Sequence, residues 1–220
     1  MQRIIALMLC TIMLFAFAAC EKSGKDGENV KGSETAATDI ASDLPDVVTG
    51  TMVFKDFGTV KFELYPNKAK QSTLNFIYLA KSGFYDGIVV HRLVKDFVIQ
   101  AGAYTNGYQE KSPEFRYTIK GEFSANGIEN TVKHVKGTLS WARPTDYDGA
   151  STQFFICTDD RTAPQLDGNY AAFGMVTEGF EFLDKINDED TAKDVPLSEI
   201  VIESVTIDGD FNFPEPDFIR

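Results

Sequence analysis

Gln153-Phe154-Phe155-Ile156-Cys157 is the stretch whose phase decides the fold. It is a short apolar run of aromatic and β-branched residues, the composition of a strand. Side chains two apart on a strand share a face, so Phe154 and Ile156 point one way and Gln153 and Phe155 the other. Phe154 and Ile156 read as core, which leaves Phe155 beside the polar Gln153 on a second face. The same rule pairs Val98 with Gln100 in Phe97-Val98-Ile99-Gln100-Ala101-Gly102, and Ser140 with Ala142. Trp141 takes the opposite phase to Ala142 and reads as core.

Further strand-like runs lie to either side, between turn residues: Ile88 to Val94, Phe97 to Ala101, Thr138 to Ala142, Ala171 to Val176 and Ile200 to Ile207. Val60, Phe62 and Leu64 alternate with Lys61 and Glu63, the period of a half-buried strand, before Pro66 and Asn67 break it. Thr73, Phe76, Ile77 and Ala80 fall at helical spacing, and Gly83 sits where a helix ends. A second, short helix is read over Phe180 to Ile186. Mostly strands, with a helix near each end, suggests a closed barrel capped by helices. No internal repeat is visible.

At 220 residues, with 43% hydrophobic and 12% aromatic residues, the chain can bury one sizeable core. Its net charge of -12 disfavours nucleic acid as a partner, because phosphate neutralisation rests on clustered Lys and Arg. Anionic lipid headgroups would repel it too, so membrane attachment must come from something other than charge.

The first residues supply that something. Arg3 gives a positive start, Ile4 to Ala18 an apolar run, and small Ala18 and Ala19 precede Cys20. This reads as an export signal over residues 1–19; so short a span, with no charged stop-transfer flank, makes a poor membrane-spanning helix, and an uncleaved anchor is the alternative. Phe17-Ala18-Ala19-Cys20 resembles the bacterial lipobox, with Phe17 at the usual leucine position; the resemblance implies cleavage before Cys20 and a lipid on its sulfur. The bland alternative for Cys20 is a cysteine beside an ordinary secretory cleavage site. The polar stretch that follows gives a tether over residues 20–48, then a globular domain over 49–209 and a surface tail over 210–220. With Cys10 in the signal, Cys157 is the one cysteine left to the domain, and no disulfide can form within it.

Several segments resemble the cyclophilins in order and separation: Gly83-Phe84-Tyr85-Asp86-Gly87, His91-Arg92, Phe97 to Gly102, Gly137-Thr138-Leu139-Ser140, Gln153 to Cys157, Leu166-Asp167-Gly168 and Phe173-Gly174. Each alone is weak; together, in register over about Thr49 to Asp208, they identify the chain as similar to that family. The resemblance implies a closed eight-stranded antiparallel barrel capped by two helices, with a proline groove on the outer wall. It implies peptidyl-prolyl cis/trans isomerase activity, with Arg92, Phe97, Gln100, Gln153 and Phe155 catalytic and Val98, Ala142, Arg143, Leu166 and Tyr170 holding substrate. Proline-containing polypeptides become the expected partners, and no cofactor or metal is called for.

Other readings compete. Arg92 can be a surface arginine paired with one of many acids, and a proline-peptide binding module with little turnover, or a structural lipoprotein, can share the fold. His91 and His134 lie too far apart, and too far from acid or cysteine clusters, for a metal site, and read as structural. Cys157 lacks a histidine partner and reads as a structural thiol. Asp159-Asp160 and Asp188-Glu189-Asp190 lack calcium-ligand spacing and read as solvated turns. Against the family, Gln165 replaces a tryptophan that contacts cyclosporin, which implies weak or no binding of that drug. Tyr170 and Arg143 replace a histidine and an asparagine. Ala103 to Tyr117 is bulkier than the glycine-rich loop it replaces, which leaves open the residue favoured before proline. The expected location is the extracytoplasmic face of a bacterial membrane.

Overall fold

The computed structural model describes residues 44–114 and 116–220. The signal and lipidation readings at residues 1–19 and Cys20 lie outside the described residues, as do most of the tether and Phe115 in the long loop.

The chain begins with strands β1 (Val48–Phe54) and β2 (Gly58–Leu64), then helix α1 (Lys70–Lys81). Five short strands follow: β3 (Ile88–Val89), β4 (Arg92–Val94), β5 (Val98–Ala101), β6 (Tyr104–Thr105) and β7 (Gln109–Glu110). Next come β8 (Thr138–Trp141), β9 (Phe154–Cys157) and β10 (Ala172–Glu178). Helix α2 (Phe180–Asn187), the small hairpin β11 (Thr191–Ala192) and β12 (Val195–Pro196), and β13 (Val201–Ile207) complete it.

One antiparallel sheet runs in the order β4-β5-β9-β8-β10-β2-β1-β13-β3-β6-β7. This corrects the expectation of a closed eight-stranded barrel, because the sheet has eleven strands and its terminal strands are not paired to each other. Two local breaks account for the opening of the sheet and for two of the three added strands, the third being the two-residue β7. The run Ile88 to Val94 is not one strand: Val90 N–H donates to Ile200 O at 2.9 Å and His91 N–H to Gln100 O at 3.2 Å. The chain thus changes partners from β13 to β5 within two residues, and the ladder does not continue from β3 into β4. The second break is Gly102, at φ 100°, where a Cβ would stand 2.3 Å from Thr152 O; it separates β5 from β6.

Helix α1 packs against β13 and β10. It ends in a Schellman arrangement: Gly83 adopts φ 69°, its N–H donates to Ala80 O at 3.0 Å, and Phe84 N–H donates to Leu79 O at 2.9 Å. No neighbouring side chain caps its start. The Glu122 carboxylate does so from a distant loop, accepting from Gln71 N–H at 2.9 Å and Ser72 N–H at 2.8 Å. Burial raises the Glu122 pKa even though those N–H groups favour its charge.

Phe76 of α1 is the hub of the core. Its ring meets those of Phe62, Tyr85, Phe154 and Phe173 at centroid distances of 5.1 to 5.7 Å, each such pair adding about 0.5 to 1.5 kcal/mol beyond area burial. Phe154, Ile156 and Trp141 join this core, on the face their phase assigns. The tail docks over α1: Ile219 exchanges backbone hydrogen bonds with Thr118 at 2.8 and 2.9 Å, and Phe218 sits against Tyr78 and Tyr117.

Candidate active site

The register of four strands assembles the site. Arg92 stands opposite Gln100, Gln100 opposite Phe155, and Phe155 opposite Ser140, so one row of side chains crosses β4, β5, β9 and β8 on the face away from the core. On that face a second apolar cluster forms from Val98, Phe155, Cys157, Ala163 and Leu166, with Phe97, Ala142 and Tyr170 packed on it. Two clusters on opposite faces of β9 are what its alternating phase requires.

Nine of the ten residues assigned from the sequence line one cleft of about 280 Å³: Arg92, Phe97, Val98, Gln100, Ala142, Arg143, Phe155, Leu166 and Tyr170. Gln153, the tenth, lines an adjoining hollow of about 390 Å³ that shares Gln100, Ala142 and Arg143 with the first. The polar groups are chained together. Arg92 Nη1 donates to Gln100 Oε1 at 3.4 Å, and Gln100 Nε2 donates to Gln153 Oε1 at 3.0 Å. Arg92 also faces Asp194, with 3.5 Å between Nε and Oδ2, and its side chain stays 41% exposed. Arg92 thus lies in the cleft and beside an acid at once.

Arg143 is occupied differently. Its guanidinium lies 4.8 to 5.0 Å from the ring centres of Tyr170, Tyr147 and Phe123. Its N–H groups donate to the carbonyls of Asn169, Pro144 and Thr145. It thereby joins the loop after β8 to the Tyr170 segment and forms wall rather than a loose cation.

Beneath Phe155 lies a group that the sequence reading did not connect. His134 Nδ1 is 2.9 Å from Asp167 Oδ1, and His134 Nε2 is 2.9 Å from Ser140 Oγ. The carboxylate fixes the tautomer, so Nδ1 carries the proton and Nε2 accepts from the Ser140 hydroxyl. The order of groups is that of a hydrolytic triad, but Ser140 is fully buried and His134 1% exposed, so no substrate carbonyl can reach the hydroxyl. The imidazole instead stacks under Phe155, 23° between planes with centroids 6.1 Å apart, while Tyr170 meets the same ring edge-on. Burial lowers the His134 pKa against the opposing pull of Asp167. Partial burial disfavours the Asp167 carboxylate, yet the His134 N–H groups and Lys133 hold its pKa below the usual value.

His91 packs edge-on to Tyr104 with its pKa lowered by burial. Cys157 is buried and its thiol is pushed up to about 12 by desolvation, which removes the thiolate a nucleophile needs. The sequence reading also missed Asp194 beside Arg92, and Asn187, whose amide oxygen accepts from Asp96 N–H at 2.9 Å in the β4–β5 turn. Both act on positions far away in the chain, and no local spacing marks them.

Residues 49–207 match the family model for cyclophilin type peptidyl-prolyl cis-trans isomerases. A peptidyl-prolyl cis-trans isomerase of Acinetobacter baylyi is 38% identical over 160 residues, 69% of this chain and 81% of that protein. Peptidyl-prolyl cis-trans isomerase B of Bacillus subtilis is 38% identical over 147 residues, 67% of this chain and 96% of that protein. Among solved structures, a cyclophilin type isomerase of Cryptosporidium parvum superposes with a TM-score of 0.61 at 26% identity, covering 74% of this chain and 99% of its own. The same protein solved in the presence of the dipeptide Ala-Pro gives 0.60.

Proposed function

The chain belongs to the family of cyclophilin-type peptidyl-prolyl cis-trans isomerases, and from that premise we propose how its cleft acts and on what. Rotation about a peptide bond is opposed by about 18 to 20 kcal/mol of amide resonance. An X-Pro bond left alone takes tens to hundreds of seconds to cross it. No covalent bond is made or broken. In the twisted transition state the proline nitrogen becomes pyramidal and regains a lone pair. A fixed cationic donor aimed at that nitrogen then binds the twisted state better than either planar isomer.

Arg92 is that donor. The observation that carries this reading is its place at the edge of an apolar slot, tied to Gln100 and through it to Gln153. Phe97, Val98, Phe155 and Leu166 take the proline ring, while Ala142, Arg143 and Tyr170 form the remaining wall. An acceleration of roughly 10⁵-fold needs about 7 kcal/mol. One preorganised donor supplies about 3 to 4 kcal/mol of it. The dry slot, which favours the less polar twisted amide, and immobilisation of the flanking backbone supply the rest. The mechanism moves no proton and draws on no cofactor or metal.

The substrates are proline-containing polypeptides, a reading supported by the structural neighbour solved in the presence of Ala-Pro. The clients are exported proteins whose folding waits on X-Pro bonds, at the extracytoplasmic face of a bacterial membrane where a lipid on Cys20 holds the domain; the leader and tether in the sequence support this. Gln165, exposed beside Leu166, supports weak or no cyclosporin binding. Exchange spectroscopy on a short Ala-Pro peptide tests the activity, with cis/trans exchange speeding in proportion to enzyme. A refolding assay on a proline-limited secreted protein tests the role. A refolding rate that stays flat as enzyme is added would remove the client reading and leave the isomerase.

A further inference from the structure

We propose that Asp194 is a positioning residue for Arg92, holding the guanidinium at the angle from which it serves the proline nitrogen. The inference rests on the reading of Arg92 as the donor. Asp194 sits in the two-residue turn of the β11–β12 hairpin, where Lys193 and Asp194 both take left-handed backbone angles, φ 53° and 65°. Residues other than glycine adopt that region at a cost, and runs of it persist where surrounding structure fixes them. Here the fixing contact is visible: Leu93 N–H donates to Asp194 O at 2.7 Å, joining the turn to the strand that carries Arg92. The Asp194 side chain then reaches the neighbouring residue of that strand, with Oδ2 at 3.5 Å from Arg92 Nε.

The division of labour follows from the shape of the fork. The Asp194 carboxylate, 3.5 Å from Nε, and the Gln100 carbonyl, 3.4 Å from Nη1, approach the guanidinium from two sides, and the Asp194 and Arg92 side chains stay 52% and 41% exposed. The segment that leads into the hairpin is held independently at the C-terminal end of α2. Asn187 and Asp96 bond each other reciprocally, and Lys95 pairs with Asp188 at 3.0 Å. The segment 187–194 thus grips the β4–β5 turn at one end and β4 at the other, and Asp194 is the part of that grip that reaches the reacting group. A donor set about 1 Å out of place can cost as much as 10²-fold in rate; Asp194 acts through Arg92 and touches no substrate.

The test is a double-mutant cycle on Ala-Pro peptide turnover, with kcat and KM measured separately. Asp194→Gly removes the carboxylate while keeping the left-handed turn, and Asp194→Asn keeps an oxygen there without the charge. Thermal melting of each variant shows that the hairpin is intact. We expect Asp194→Gly to lower kcat about 5- to 10-fold with KM within twofold, and Asp194→Asn to recover part of that loss. In an Arg92→Ala background neither substitution should lower the residual rate further, because coupling through one group is non-additive. A full kcat in folded Asp194→Gly, or the same fractional loss with and without Arg92, overturns the proposal. Equal rates for wild type and Arg92→Ala would instead overturn the donor reading on which it rests.

Discussion

Phe155 is where the phase of a strand becomes chemistry, because a shift of one residue would have sent its ring to the core and Phe154 to the cleft. Its ring is held by stacked His134 below and Tyr170 at its edge, so it forms a fixed wall of the cleft proposed to take the proline ring. Phe155→Ala should raise KM and lower kcat together, alongside a reduced Tm; a reduced Tm with both kinetic constants intact would make the ring plain core. His134 gives the site an acid limit. Its pKa is lowered from the usual 6.5, so the unfolded chain binds the proton more readily than the native one. The stability this residue contributes is therefore complete above 6.5 and falls as pH drops below it, towards the depressed native value. Asp167 works in the same direction at lower pH, since its depressed carboxylate loses its advantage on protonation. His134→Gln should flatten the decline of Tm between neutral pH and the onset of carboxylate protonation. A decline of undiminished steepness would place the acid sensitivity elsewhere. Cys157, buried with its thiol pushed up to about 12, should resist alkylation in the native state and react on unfolding.

Among the elements, β5 and β9 were legible in the sequence and β1 was not, for a physical reason. Period-two alternation marks a strand when every inward position carries an apolar side chain, as Val60, Phe62 and Leu64 do in β2. In β1 the inward series is Val48, Gly50, Met52 and Phe54. Gly50 breaks the pattern because the Phe62 ring fills the space its Cβ would take, at 2.6 Å. The helix over Lys70–Lys81 was legible from spacing, but its cap was not, since Glu122 arrives from a distant loop. The closed barrel failed at Val90 and His91, where strand partners change inside what reads as one strand from Ile88 to Val94, and at Gly102, where β5 gives way to β6. Among the site residues, the ten assigned by resemblance gather round the cleft and its neighbour, whereas Asp194 and Asn187 act across the chain. Gly102 joins fold to function, for its bare backbone lets β5 lie against Thr152 beside Gln153. Gly102→Ala should lower Tm by several degrees and slow turnover, because both φ and the 2.3 Å approach oppose a methyl group. A variant as stable as wild type would mean the segment shifts without cost. Phe76→Ala should remove about 3 to 5 kcal/mol, the range for a buried phenylalanine, read by urea denaturation.

At the scale of the whole molecule, an acidic chain with net charge -12 holds Arg92, the donor proposed for it, in a cleft on the face of the sheet away from the core. The charge argues against an anionic membrane surface as the means of attachment, so the lipid proposed on Cys20 has to hold the domain there. One acyl chain binds only marginally and two bind stably, which is what a diacylglyceryl group supplies. Mass spectrometry of the native N-terminus should find lipid on Cys20 as the first residue, and Cys20→Ser should release the domain from membranes; an unmodified terminus would remove the anchor without touching the isomerase. The central claim is that the cleft lowers a rotational barrier through one preorganised cation, and it meets its most direct test in Arg92→Ala. Exchange spectroscopy on an Ala-Pro peptide, with wild type and variant at equal concentration and matched Tm, should show kcat/KM reduced about 10² to 10³-fold. Unchanged turnover in a folded Arg92→Ala protein would contradict the account.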